Sequence, residues 1–214
     1  MSGKDPIHLE DRTQTGARLF SPTAGRNKAP IADAMTAYLP DGARVLEIAS
    51  GSGEHGAHIC TLRPDIIWQA SDPDADSRAS QNDWAKDCGG RMLKSLAIDT
   101  SQAGWADNLG EYDVIYCANM IHIAPWEAAT GLAAGAGKLL KSGATFILYG
   151  PFKEGKDTAE SNLGFDVSLK SRNPSWGVRN LDDVKHIFSH AGFTHEARIV
   201  MPKENRMLIF TKTQ

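Results

Sequence analysis

No stretch of this sequence approaches the roughly 20 consecutive apolar residues that a membrane-spanning helix requires. The N-terminal MSGKDPIHLEDRTQTGARLF mixes both signs of charge and lacks the apolar run of a secretory signal. Cysteine is scarce. Cys60, Cys88 and Cys117 are odd in number and widely spaced, with no C-x-x-C pair, which excludes a disulfide framework and fits a reducing, cytoplasmic setting. A basic excess is also missing: 23 Lys and Arg against 26 Asp and Glu leave a net charge of −3. That balance lacks the positive footprint of nucleic-acid binding, so small-molecule work is the expectation, with no membrane partner. No repeat or low-complexity tract occurs. A chain of 214 residues, 41% hydrophobic, can bury one sizeable core.

What is present is an alternation of short apolar runs and helical stretches. ARVLEIA (43–49), IIWQAS (66–71), DVIYCAN (113–119) and TFILYG (145–150) are nearly continuously apolar, as strands covered on both faces are. RMLKSLAID (91–99) is a weaker strand. Helices are predicted at about 54–62, 75–86, 125–140 and 181–191, the third opening on Pro125 and the last ended by Gly192. This alternation predicts a doubly wound α/β sheet. FTHEARIVMP (193–202) and RMLIFTKT (206–213) lie a few residues apart and therefore pair antiparallel. Residues 1–25 read as a loosely ordered arm before one domain at 26–214. The polar, Gly- and Pro-punctuated segment 151–180 reads as a lid insert within that domain.

The stretch VLEIASGSGEHG (45–56) carries G-x-G-x-x-G at Gly51, Gly53 and Gly56, just where the first parallel strand gives way to a helix. Such a turn brings backbone N–H groups against a bound anion, either a pyrophosphate or an amino-acid carboxylate. Glu47, inside the strand, would repel a pyrophosphate and attract an ammonium. Asp72 follows the second strand at the spacing where a carboxylate takes ribose hydroxyls. DPDADSRASQND (72–83) places acids at alternate positions but has Ser77 where a calcium loop needs glycine, so calcium is rejected. His186 and His190 share a helix face with no third ligand, and no metal is expected. His55 and His58 are expected to pack.

The parallel sheet ending in an antiparallel hairpin resembles the class I S-adenosylmethionine (SAM) methyltransferase fold, with seven strands and a Rossmann-like layout. SPTAGRNKAPI (21–31), ASGSGEHGAHIC (49–60), CANMIHIAPW (117–126), LYGPF (148–152), SNLGFDVSL (161–169) and NPSWGVRNL (173–181) together resemble a methyltransferase-like family long carried as a domain of unknown function. The resemblance implies SAM as cofactor. Its acidic-x-G-x-G-x-G pattern reads here Glu47-x-Ala49-x-Gly51-x-Gly53, with alanine at the first glycine position. It implies cofactor contacts from Glu47, Ala49, Ser50, Gly51 and Gly53, ribose contacts from Asp72, and adenine contacts from Asp99 and Thr100. Asn119 and Met120 would flank the methionine end.

The acceptor side is expected over the carboxyl ends of the fourth and fifth strands. His122 is the first candidate base there and Tyr149 the second. Arg26, Asn27 and Lys28, read as lying just before a helix PIADAMTAYL, are candidates for an anionic substrate, with the SAM carboxylate as the alternative for the two bases, and Arg179 is a further substrate-binding candidate. Phe152, Phe165 and Trp176 are candidates for an apolar rim. Methyl transfer from a sulfonium needs alignment and desolvation more than acid–base chemistry. The absence of a target-recognition domain points to a small-molecule acceptor, its atom O, N or S, and to a monomer or homodimer. Two readings stay open beside it: a non-catalytic SAM-binding protein and an NAD(P)-dependent oxidoreductase.

Overall fold

The computed structural model describes residues 11–213, so residues 1–10 of the expected arm lie outside the described residues. The chain opens with a hairpin, β1 (Thr13–Thr15) and β2 (Arg18–Phe20), and a helix, α1 (Pro22–Thr36). Then come β3 (Arg44–Ile48), α2 (Glu54–Leu62), β4 (Ile67–Ser71), α3 (Ala75–Ala85), β5 (Met92–Leu96), β6 (Tyr112–Ala118), α4 (Trp126–Leu139) and β7 (Leu140–Lys153). The remainder is α5 (Glu160–Arg172), the two-residue β8 (Arg179–Asn180), α6 (Leu181–His190), β9 (Phe193–Met201) and β10 (Asn205–Lys212).

Seven strands form one sheet in the order β5-β4-β3-β6-β7-β10-β9, with β8 added beside the end of β7. β10 is inserted antiparallel between β7 and β9, while β3 through β7 pair in parallel. This is the doubly wound sheet expected from the sequence. Alternate residues of each strand feed two cores. Val45, Val114, Tyr116, Ile147 and Tyr149 pack under α1 and α2. Leu46, Ile48, Ile115, Phe146 and Leu148 pack under α4 and α6. Both faces are covered, so the strands read as continuous apolar runs.

Two regions differ from the sequence reading. Helix α1 begins at Pro22, not after Lys28: the Ser21 side chain accepts from the Ala24 N–H, and Pro22 occupies the first turn, where its missing N–H costs nothing. Arg26, Asn27 and Lys28 are therefore helical, and Pro30 sits inside the helix. The segment 151–180 holds a 13-residue helix, α5, fixed by the buried Asp166. That carboxylate accepts from Lys153 at 2.7 Å, Lys170 at 2.9 Å and the Val178 N–H at 2.9 Å. No helix among the described residues is long and apolar enough to cross a membrane.

Gly56, in the first turns of α2, lets that helix press onto the sheet. A β-carbon there would stand 2.4 Å from Trp68 Nε1, the group that donates to Glu47 Oε2 at 2.9 Å. Gly56→Ala is therefore expected to destabilise the fold by about 1–3 kcal/mol through overpacking, despite alanine's better helix propensity. Chemical denaturation followed by tryptophan fluorescence measures it. A gain in stability would show that the indole can move aside without loss.

Candidate functional site

The crevice lies where the strand order reverses, between the carboxyl ends of β3 and β6. On the β3 side the chain leaves the strand through Ala49 at φ 55° and Gly51 at φ 56°. Serines weld this turn to β4. Ser50 N–H donates to Ser71 C=O at 2.8 Å, Ser71 N–H to Ser50 Oγ at 3.1 Å, and Ser71 Oγ to Glu47 C=O at 2.7 Å. Gly51 N–H donates to the Asp72 carboxylate at 2.9 Å. Gly53 forms the N-cap of α2 against the backbone of Gln81, whose side-chain amide donates to Gly51 C=O at 2.9 Å.

The charges beneath this turn are buried. Glu47 is 1% exposed; besides the Trp68 indole it has His55 Nδ1 at 3.8 Å, and Tyr116 Oη is 3.3 Å from that same nitrogen. Burial pushes the Glu47 carboxyl up to about 7, against the Trp68 and Ser50 hydrogen bonds that favour the charged form. Burial likewise pushes Asp72 up to about 6 and His55 down to about 4. His55 is thus a neutral imidazole beside a carboxyl that titrates near neutrality.

Across the crevice, Asn119 leaves β6 at φ 60° with its N–H donating to Tyr149 C=O at 2.8 Å, and a single 3₁₀ turn, Met120–His122, follows. His122 is 1% exposed. Its Nδ1 accepts from the Arg179 N–H at 3.3 Å, which leaves the proton on Nε2. That nitrogen has no partner among the described residues and lies against Gly150. Burial first, then the Arg179 charge, push His122 down to about 3.

Several predicted residues take structural places. Arg179 donates to the carbonyls of Ile121 at 2.8 Å, Ala124 at 2.6 Å and Ser175 at 2.9 Å, tying β8 to the loop after β6. Tyr149 is 1% exposed in the core, where burial raises it to about 12. Phe152 is equally buried and meets His122 edge-on at 5.3 Å. Thr100 Oγ1 donates to Ala128 C=O at 2.9 Å. Asp99 lies three residues beyond the end of β5 rather than closing it, and accepts from Ser101 N–H at 3.0 Å and Ser101 Oγ at 2.6 Å. Arg26 is exposed and donates to Thr23 Oγ1 at 3.1 Å. Phe165 lies on α5 and Trp176 in the turn after it, Phe165 exposed and Trp176 half-buried. His186 and His190 meet edge-to-face with ring centroids 4.1 Å apart; no group of three His, Cys, Asp or Glu side chains among the described residues could hold a metal ion.

One acid escaped the sequence reading. Glu54, 5% exposed, accepts from Ser21 N–H at 2.7 Å and Ser52 Oγ at 2.9 Å, with Lys28 Nζ 3.8 Å away. It pins the start of α1 to the start of α2. The Ser21-Pro22 pair was the available signal that a helix begins there.

Comparison with known proteins places this geometry. The model of the family described as "Protein of unknown function (DUF938)" matches residues 18–212. An O-methyltransferase family protein from Burkholderia thailandensis superposes with a TM-score of 0.76 at 17% identity, over 89% of this chain and 57% of that one. CalO1, a methyltransferase in calicheamicin biosynthesis solved with S-adenosylhomocysteine (SAH), gives 0.74 at 14% identity, over 89% and 54%. An O-methyltransferase family 2 protein from Planctomyces limnophilus, in complex with apigenin, gives 0.72 at 18%, over 89% and 58%. The chain spans less than three-fifths of the length of each. These likenesses show the class I methyltransferase fold.

Two outcomes test the site's physics. Ala49→Gly is expected to stay within about 1 kcal/mol of the parent, because relief of the left-handed backbone offsets glycine's entropy. Ala49→Val is expected to cost about 1–3 kcal/mol; equal melts for the two would show that the turn relaxes. The Glu47 carboxyl holds its proton more tightly folded than unfolded, so its contribution to stability falls as pH rises from about 4.5 to about 7 and is constant above. Glu47→Gln lacks this loss and should gain on the parent across that window, by on the order of 2–3 kcal/mol. Denaturant melts at pH 5 and pH 8 give the difference, and a pH-independent difference would refute the raised titration.

Proposed function

The chain belongs to the DUF938 family, and on that premise we propose that it is a SAM-dependent methyltransferase acting on a small-molecule acceptor. The observation that carries the reading is the convergence at the strand reversal: a turn with two left-handed residues, Ala49 and Gly51, bonded through its N–H to Asp72 and facing the left-handed Asn119. The residues fit the cofactor. Gly51 leaves open space where a side chain would otherwise meet only the end of Arg12, and Asp72 carries a carboxylate at the end of β4 for a ribose diol.

When bound, SAM supplies an electrophilic methyl group on a sulfonium. In this reading, Glu47 holds the ammonium end from beneath the turn, and Ser50, Gly51 and Gly53 line the methionine with backbone. Asp72 takes the ribose, Asp99 and Thr100 border the adenine, and Asn119 and Met120 form the opposite lip. His122 serves as a donor and a wall rather than as a base, since its Nδ1 is an acceptor already used and its Nε2 keeps the proton. Catalysis then rests on alignment and the exclusion of water, with Tyr149, Phe152 and Arg179 supporting the acceptor wall from behind. Arg26, Asn27, Lys28, Phe165 and Trp176 stand on α1 and in the α5 region, the elements we propose flank the acceptor. An oxidoreductase reading would set a pyrophosphate over two buried carboxylates, Glu47 and Asp72, and the field there is unfavourable to it.

SAH should bind in titration calorimetry with micromolar affinity, and NAD(P) should not bind. Asp72→Ala should weaken SAH by about 10–100-fold, as loss of a hydrogen bond to charge does. At pH 6.5–7 the free Glu47 carboxyl is partly protonated, and a bound ammonium favours its charged form, so binding should release a proton. Repeating the titration in buffers of different ionisation enthalpy reads that release, and Glu47→Gln should abolish it. Binding without proton release would remove Glu47 from the cofactor site. Failure of SAH to bind at all would defeat the proposal.

A further inference from the structure

The N-terminal hairpin is tied down along α3 and ends at the cofactor turn. Arg18 Nε pairs with Asp83 at 2.9 Å and Nη1 with Asp87 at 2.7 Å, with the guanidinium 4.2 Å over the Trp84 ring. Leu19 N–H donates to Ser80 Oγ at 2.8 Å and its carbonyl accepts from Trp84 Nε1 at 3.2 Å. Phe20 meets Trp84 edge-on at 5.3 Å. These contacts deliver the residue just before β1, Arg12, to the turn. Arg12 Nη1 donates to Ser77 Oγ at 3.4 Å, and Nη2 stands 3.5 Å from where a Gly51 β-carbon would be. Its Nε is buried with no hydrogen-bond partner, which for a charged donor is a costly state. Its charge acts on the Asp72 carboxyl, although no ion pair joins the two among the described residues.

A ribose hydroxyl both donates and accepts. Asp72 can only take the donated protons, so the hydroxyl oxygens need a donor on the other side. We infer that Arg12 is that donor and that the anchored hairpin 13–20 is the strap that holds it over the ribose, completing the site whose floor is Asp72. This inference rests on the cofactor reading above. It also assigns the segment before residue 26 a fixed role at the site in place of a loose arm.

The test is calorimetry with two probes, SAH and 5′-methylthioadenosine, which keeps the nucleoside and lacks the amino-acid end. Arg12→Ala should weaken both by about 10-fold, the scale of one charged hydrogen bond, with an unchanged melting temperature. Arg12→Ala combined with Asp72→Ala should lose less than the two single losses together, since both act through the same hydroxyls. Arg18→Ala, which loosens the strap without touching ligand, should reproduce part of the Arg12 loss. Hydrogen exchange over residues 13–20 should slow on adding SAH to the parent and not to Arg12→Ala. Unchanged affinity in Arg12→Ala would overturn the inference while leaving the cofactor reading intact. Loss confined to SAH would overturn it too, by moving Arg12 to the carboxylate end. A parent that binds neither probe would defeat both readings.

Discussion

The whole arrangement depends on one topological constraint: the direction in which strands are added to the sheet reverses between β3 and β6. From β3 the chain steps outward to β4 and β5; from β6 it steps outward the other way. The loops that leave these two neighbours therefore diverge and open a crevice above them. Each lip turns sharply, with Ala49 on one side and Asn119 on the other held in left-handed backbone. Neither residue is glycine, so each position stores local strain that the surrounding bonds must hold. On the β3 lip those bonds are the serine welds to β4; on the β6 lip they are the Asn119 N–H to Tyr149 and the 3₁₀ turn behind it.

Burial does the electrostatic work. Glu47, His55 and Tyr116 sit under the turn in a single cluster roofed by α2 and backed by Trp68. Burial raises the carboxyl and lowers the imidazole, so near neutral pH His55 is uncharged and Glu47 is only partly ionised. A cation brought above it would restore the charge on Glu47. Beyond β6, the same effect keeps His122 neutral, and the Arg179 backbone fixes its tautomer. His55 and His122 are thus both neutral imidazoles near neutral pH.

The sheet was legible because buried parallel strands leave continuous apolar runs and the glycine turn marks the join of β3 to α2. The helices α2, α3, α4 and α6 were legible by the same punctuation. Helix α5 was not, because its buried face carries Asn162 and Asp166 beside Leu169, while Leu163 and Val167 point outward; the usual apolar periodicity is inverted by a buried carboxylate with two lysines. The hairpin escaped because three-residue strands have no periodicity to read, and its hold on α3 is long-range in sequence. Arg12 and Glu54 were hidden for that reason. Their neighbours at the turn, Ser77 and Gly51 for the one and Ser21 for the other, are brought there only by the fold.

β10 lies between β7 and β9 although it follows both in the chain. Until residues 205–212 have emerged from the ribosome, β7 is an open sheet edge and β9 has no strand to pair with. The crevice-bearing half can gather early, but the sheet closes only after synthesis has passed its last strand. Until then the chain presents an unpaired apolar edge, Phe146 to Tyr149, and that edge is where a chaperone or a stray strand would engage it.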